Sequence, residues 1–199
     1  MTALMEQLRT VANAMNKLQV PWALVGGLAV SIYGTPRTTR DVDIAVALDS
    51  SDDVQVLVER LLQVGFSDQQ LIMHVAPTRK LGVRLKIPAR TTPVPLDLLY
   101  CSSGIEKEVV AAALPVEVFP ELFVPVASLA HLLAMKIVSE NESDRLQDIL
   151  DIQGLLKEAQ DSDIEQAIEA MRLIEQRGFH RDKNLLARLH ELRERFGIN

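Results

Sequence analysis

The residues of this 199-residue chain whose types and spacing could do chemistry are a diglycine, Gly26-Gly27, and three aspartates, Asp41, Asp43 and Asp97. Asp41 and Asp43 alternate in the apolar run Asp41-Val42-Asp43-Ile44-Ala45-Val46, so an extended strand turns both carboxylates to one face and Val42 and Ile44 to the other. Two adjacent carboxylates suit a hard divalent cation such as Mg²⁺ or Mn²⁺, which keeps substrate phosphates in its remaining positions. Asp97 lies between leucines in Leu96-Asp97-Leu98, where an acid is costly to bury unless it is paired or metal-bound, and it is the candidate third ligand. The diglycine follows the apolar run Trp22-Ala23-Leu24-Val25 and precedes a short helix, so its backbone can approach a ligand closely and the helix N-terminus can receive a phosphate. A phosphate chain and a metal held side by side are the requirements of nucleotidyl transfer.

The elements that must position these groups are legible from periodicity. Thr2 to Leu18 reads as an amphipathic helix, Trp22 to Val25 as a buried strand, Leu28 to Tyr33 as a helix and Val42 to Leu48 as a strand. The cluster Asp49-Ser50-Ser51-Asp52 should cap a helix that runs to about Val64, where Gly65 closes it. Strands are expected at Gln70 to Val75, Val83 to Ile87 and Val94 to Tyr100, then a helix near Ile105 to Ala113 and a short strand from Val116 to Phe119. From Pro125 onward the pattern is all helical, at Ala127 to Ser139, Glu142 to Ala159, Asp163 to Arg177 and Asp182 to Phe196. The expected architecture is α/β, a mixed sheet flanked by helices over residues 1–124, with a C-terminal helical subdomain over residues 125–199 packed on it.

Composition bounds the function. With 48% hydrophobic residues, one cysteine and no apolar run near the roughly 20 residues that span a bilayer, the chain reads as a cytoplasmic globular protein without an intramolecular disulfide or a membrane partner. The four histidines, His74, His131, His180 and His190, lack metal-ligand spacing, which argues against zinc. A net charge of −6 argues against a protein that coats nucleic acid, yet Gln69 to Leu96 contains no acid and carries Arg79, Lys80, Arg84, Lys86 and Arg90. Those five are either solvated strand and loop positions or a positive approach for a polyanionic substrate.

Val25-Gly26-Gly27, Asp41-Val42-Asp43 and Leu96-Asp97-Leu98, in that order, resemble the signature of the DNA polymerase β-like nucleotidyltransferase superfamily. More narrowly, Arg37-Thr38-Thr39-Arg40-Asp41-Val42-Asp43 looks like the Arg-x-Thr-x-Asp-x-Asp segment of the AbiEii-like toxin and abortive-infection nucleotidyltransferases. Lys136 together with Arg145, Asp148 and Asp151 resembles the helical Lys…Arg-x-x-Asp-x-x-Asp motif of the same group. The resemblance implies that Asp41, Asp43 and Asp97 hold the metal and that Asp97 orients or deprotonates the attacking hydroxyl. It further implies that Gly26, Gly27, Arg37, Arg40, Lys136 and Arg145 handle the nucleotide, with Asp148 in the active site and Asp151 either there or in a structural pair. Gly27 stands where many members carry a phosphate-contacting serine, and Ser31 or Thr39 is the candidate substitute. The implied reaction takes an NMP from an NTP to a hydroxyl of RNA, such as a tRNA 3′ end, or of a protein, as the toxin of a toxin–antitoxin or phage-defence pair with a cognate antitoxin. Adenylylation of a small molecule of the antibiotic type, and a non-catalytic binding module on the same fold, are the alternatives.

Overall fold

The computed structural model describes residues 3–34, 36–74, 79–89, 93–140 and 146–198, with the side chains of 73–74 and 79–81 excepted. Arg90 and Arg145 lie outside the described residues, as do Val75 at the end of one expected strand, Thr2 and Glu142 at the starts of two expected helices, and the side chains of His74, Arg79 and Lys80.

The chain runs α1 (Ala3–Leu18), β1 (Trp22–Val25), α2 (Gly26–Tyr33), β2 (Val42–Val46), α3 (Ser51–Gln63), β3 (Ser67–His74), β4 (Arg79–Lys86), β5 (Pro95–Leu99), α4 (Glu106–Ala111), β6 (Leu114–Phe119) and β7 (Leu122–Val126). Four helices follow, α5 (Leu129–Ser139), α6 (Leu146–Glu158), α7 (Asp161–Gln176) and α8 (Leu185–Phe196). The strands form one mixed sheet in the order β3-β4-β5-β2-β1-β7-β6. β2 runs antiparallel to β1 and parallel to β5, and β1 runs parallel to β7.

Alternation decides which face of this sheet is dry. Ile44, Leu85, Leu96 and Leu98 are fully buried, while their neighbours Arg84 and Lys86 are exposed. Each such fully buried aliphatic side chain contributes about 1.5–3 kcal/mol relative to exposure, so a one-residue slip of β4 or β5 would be strongly disfavoured. The chemistry-bearing side chains are thereby fixed on the opposite face. Ser50 caps α3 in a reciprocal box, its hydroxyl accepting from the Asp53 N–H while the Asp53 carboxylate accepts from the Ser50 N–H.

α5 is apolar nearly all round, with eight of its residues buried, and it packs against α2, α6, α7 and α8. It is the central post of the helical half. Gly34 closes α2 and faces the backbone of Gly154 in α6, where an added Cβ would lie 3.2 Å from a main-chain carbon. That close approach brings the helix after the diglycine against the helix that carries Asp148 and Asp151.

Several elements differ from the sequence expectation: β3 starts at Ser67 and not Gln70, β4 at Arg79 and not Val83, and α8 at Leu185 and not Asp182. α2 starts at Gly26 and not at Leu28, so the diglycine is the helix's own first turn. β7 is unanticipated: a five-residue strand containing Pro125 resembles a linker, yet it pairs with β6 and reaches β1 at Val126, opposite Leu24. Contact with β1 is confined to that end, so Pro125 is not required to donate to the β1 ladder.

Candidate active site

One row of the sheet lines up the site. Val25 of β1 stands opposite Asp43 of β2, Asp43 opposite Asp97 of β5, Asp97 opposite Arg84 of β4, and Arg84 opposite Gln70 of β3. Asp41 precedes β2 on the same side. One carboxylate oxygen from each of Asp41, Asp43 and Asp97 lies within 4.8 Å of the others, the arrangement a shared cation requires.

The three carboxylates oppose one another electrostatically. Burial, then the charges of Asp41 and Asp97, push the Asp43 carboxyl from 3.8 up to about 7, against the opposing pull of Lys136 and an N–H donated by Gly27. A carboxylate so disfavoured among like charges is relieved by a bound cation. An all-oxygen donor set of three aspartates fits Mg²⁺ or Mn²⁺ and not a soft metal.

Gly26 and Gly27 are crowded from different sides. Gly26 has φ +64°, and a Cβ there would lie 2.0 Å from Asp43 Oδ2. A Cβ on Gly27 would lie 2.4 Å from Arg37 Nη2. The space beside Gly27 is thus filled by the Arg37 guanidinium, a phosphate-compatible group. Replacing Gly26 by Ala is expected to cost on the order of 2 kcal/mol, from the left-handed backbone and the collision with Asp43 together, and to cut activity at least 100-fold. Gly27→Ser should leave the backbone unstrained and cost less, its hydroxyl displacing the Arg37 guanidinium and loosening its pair with Asp151. Thermal melts paired with turnover assays separate the two, and equal losses in both variants would contradict this assignment.

Arg37 itself is held by Asp151, its Nε donating to Oδ1 at 2.9 Å and its Nη2 to Oδ2 at 3.0 Å. Lys136 Nζ lies 2.8 Å from Asp148 Oδ1 and 2.8 Å from Asp151 Oδ2. Gln147 Nε2 adds a third donor to Asp151, at 3.0 Å. Burial alone would raise the Asp151 carboxyl, but Lys136, Gln147 and Arg37 outweigh it and hold the group below its ordinary value. Asp151 is therefore the hub that joins the first motif to the helical one. Among the described residues Asp148 Oδ2 is buried without a hydrogen-bond partner, an acceptor that would profit from a donor on a bound ligand.

The remaining expected residues are placed as follows. Thr39 Oγ1 donates to Asp41 Oδ1 at 3.0 Å, so its hydroxyl orients a candidate metal ligand. Ser31 Oγ donates to the Gly27 carbonyl at 2.9 Å and accepts from the Arg37 N–H at 3.4 Å, which ties the loop to α2. Arg40 is exposed beside Asp41. Of the basic window, Lys86 pairs with Asp68, while Arg84 grips Asp97 with Nε to Oδ1 at 2.6 Å and Nη2 to Oδ2 at 2.7 Å. Sequence reasoning missed that grip and the centrality of Asp151. The signal for the first was the alternation that puts Arg84 on the face opposite Leu85; for the second it was the three-residue step from Asp148.

Residues 11–196 match the family described as the nucleotidyl transferase AbiEii toxin of type IV toxin–antitoxin systems. The chain belongs to this family. It is accordingly an AbiEii-family nucleotidyltransferase, and the fold and the acid triad agree with that membership. Among curated proteins none matches the sequence. Similar solved structures include a Helicobacter pylori protein described as a candidate nucleotidyltransferase, with 14% identity, 98% of this chain and 92% of that chain covered, and a TM-score of 0.50. Another is JHP933 from Helicobacter pylori, at 14% identity, 98% and 89% coverage and a TM-score of 0.49. A third is ANT(2'')-Ia in complex with adenylyl-2''-tobramycin, at 14% identity, 98% and 99% coverage and a TM-score of 0.46. Among the described residues no helix is long and apolar enough to cross a membrane.

Proposed function

We propose that this AbiEii-family enzyme transfers an NMP from an NTP to a hydroxyl of RNA, with pyrophosphate leaving, as the toxin of a toxin–antitoxin pair whose antitoxin is a protein. The observation that carries the transfer chemistry is the convergence of Asp41, Asp43 and Asp97 within 4.8 Å beside the first turn of α2. Asp41, Asp43 and Asp97 would hold Mg²⁺ or Mn²⁺, which when bound supplies Lewis-acid polarisation of the phosphoryl group and neutralises charge on the leaving oxygens.

The protein's own groups do the positioning. Thr39 fixes the Asp41 carboxylate, and the Gly27 N–H fixes that of Asp43. Lys136, pinned by two buried aspartates, contributes a fixed positive charge felt at Asp43, suited to a phosphate oxygen. Asp97, once free of Arg84, would orient the acceptor hydroxyl and take its proton. An RNA acceptor is supported by the exposed Arg40 beside Asp41. The division into a catalytic core over 1–124 and a helical subdomain over 125–199 is part of this reading, with Lys136 and Asp148 as the helical contribution to the site.

Incubation with each α-labelled NTP and Mg²⁺, with total RNA and total protein as separate acceptors, tests the assignment. Label is expected in RNA from one preferred NTP, and none from Asp41→Ala. Label confined to protein or to a small aminoglycoside would move the acceptor class, and no label in any acceptor would remove the enzymatic reading.

A further inference from the structure

Arg84 is bound to Asp97 by the architecture of the sheet and not by a chance loop contact. The two are direct cross-strand neighbours of β4 and β5, in a register fixed by Val83, Leu85, Leu96 and Leu98 on the buried face. Both oxygens of Asp97 are occupied by the guanidinium fork, at 2.6 and 2.7 Å, the strong bidentate form of a charge-assisted pair. Among the described residues Asp41 and Asp43 carry no such partner: the first accepts from the Thr39 hydroxyl and the second from the Gly27 N–H. A cation entering between Asp41 and Asp43 displaces no ion pair, whereas one that uses Asp97 must outcompete an arginine.

We propose that Arg84 is an intramolecular competitor for the cation at Asp97, holding that carboxylate in the metal-free enzyme and releasing it when cation and nucleotide arrive together. The inference rests on the metal-dependent reading above. Asp97 is buried, but the Arg84 side chain is 44% exposed, so it can swing into water without movement of either strand. Once released, its planar array of donors is suited to phosphate oxygens. A nucleotide therefore binds the released state better than the closed one, and a ligand with that preference shifts the equilibrium toward release. Arg84 is on this account a positioning residue, which makes full occupancy of the acid triad conditional on substrate.

The test is calorimetric titration with Mn²⁺ in the absence of NTP, on the wild type, Arg84→Met, Arg84→Lys and Asp97→Asn, followed by the same titrations with a non-hydrolysable NTP analogue. Arg84→Met is expected to bind Mn²⁺ at least about tenfold more tightly, or to take up an additional equivalent. Arg84→Lys, which keeps the charge and loses the fork, should fall between. The gain should vanish in an Asp97→Asn background and shrink when the analogue is present. Mn²⁺ binding by Arg84→Met no tighter than by the wild type overturns the proposal. If Arg84→Met does not fold, wild-type affinity in Arg84→Lys overturns it equally. Should the wild type bind no Mn²⁺ with or without the analogue, the metal-dependent reading fails and takes this one with it.

Discussion

Asp43→Asn is expected to abolish nucleotidyl transfer while making the metal-free protein more stable. Loss of a central ligand should cost at least about 10³-fold in turnover, equivalent to several kcal/mol of transition-state stabilisation. The gain in stability follows from the raised Asp43 pKa, from 3.8 to about 7. Between those values the folded state binds more protons than the unfolded one, so stability falls as pH rises through the window, and above pH 7 the penalty is complete. The two values set an upper bound of about 4 kcal/mol, of which relaxation around the site leaves on the order of 2 kcal/mol. Asparagine keeps an acceptor for the Gly27 N–H and removes the charge. In a chelator, its melting temperature should exceed that of the wild type by about 5 °C at pH 8 and match it near pH 4, where the wild-type carboxyl is already protonated. A variant less stable than the wild type at pH 8 would show that Asp43 is not destabilising in the metal-free site.

Removing the charge of Lys136 should have the largest effect on stability. Asp148 and Asp151 have side chains 8% and 2% exposed, and Lys136 answers both. Arg37 and Gln147 compensate Asp151 in part, but Lys136 is the only cation bonded to Asp148 among the described residues. Breaking a buried pair by deleting one member typically costs 3–5 kcal/mol, so Lys136→Met is expected to lower the melting temperature by about 10 °C. The charge of Lys136 also pulls the Asp43 carboxyl down, so the deficit should deepen as pH rises past 7. The double variant Lys136→Met/Asp148→Asn, which deletes the stranded acid, should recover a substantial part of the loss while remaining inactive. Melts of the single and double variants at pH 6 and pH 8 measure both effects. Additive losses in the double variant would mean that Lys136 and Asp148 do not act as a pair.

The carboxylate pair and the buried run that presents it were legible because strand periodicity is local: Asp41-Val42-Asp43 and Leu96-Asp97-Leu98 each declare a face within three residues. The pairing of those faces was not legible in the same way, since the register of Asp97 against Asp43 and Arg84 depends on how distant strands dock. β7 was hidden by its length and by Pro125, and its place beside β1 is decided by tertiary packing. Gly27 read as a defect because its neighbour in space, Arg37, is ten positions away in sequence and its anchor, Asp151, farther still. Recognition of the family supplied Lys136 and Asp148 as site residues. Their mutual bond measures 2.8 Å.

The grip of Arg37 on Asp151 spans 114 positions of chain. Synthesis proceeds from the N-terminus, and contacts of long sequence separation are the slowest to form. A nascent polypeptide therefore displays the diglycine turn and all three carboxylates well before α6 exists to restrain Arg37 or pin Lys136. A chain interrupted before Asp151 carries the three carboxylates and lacks the partner that holds Arg37.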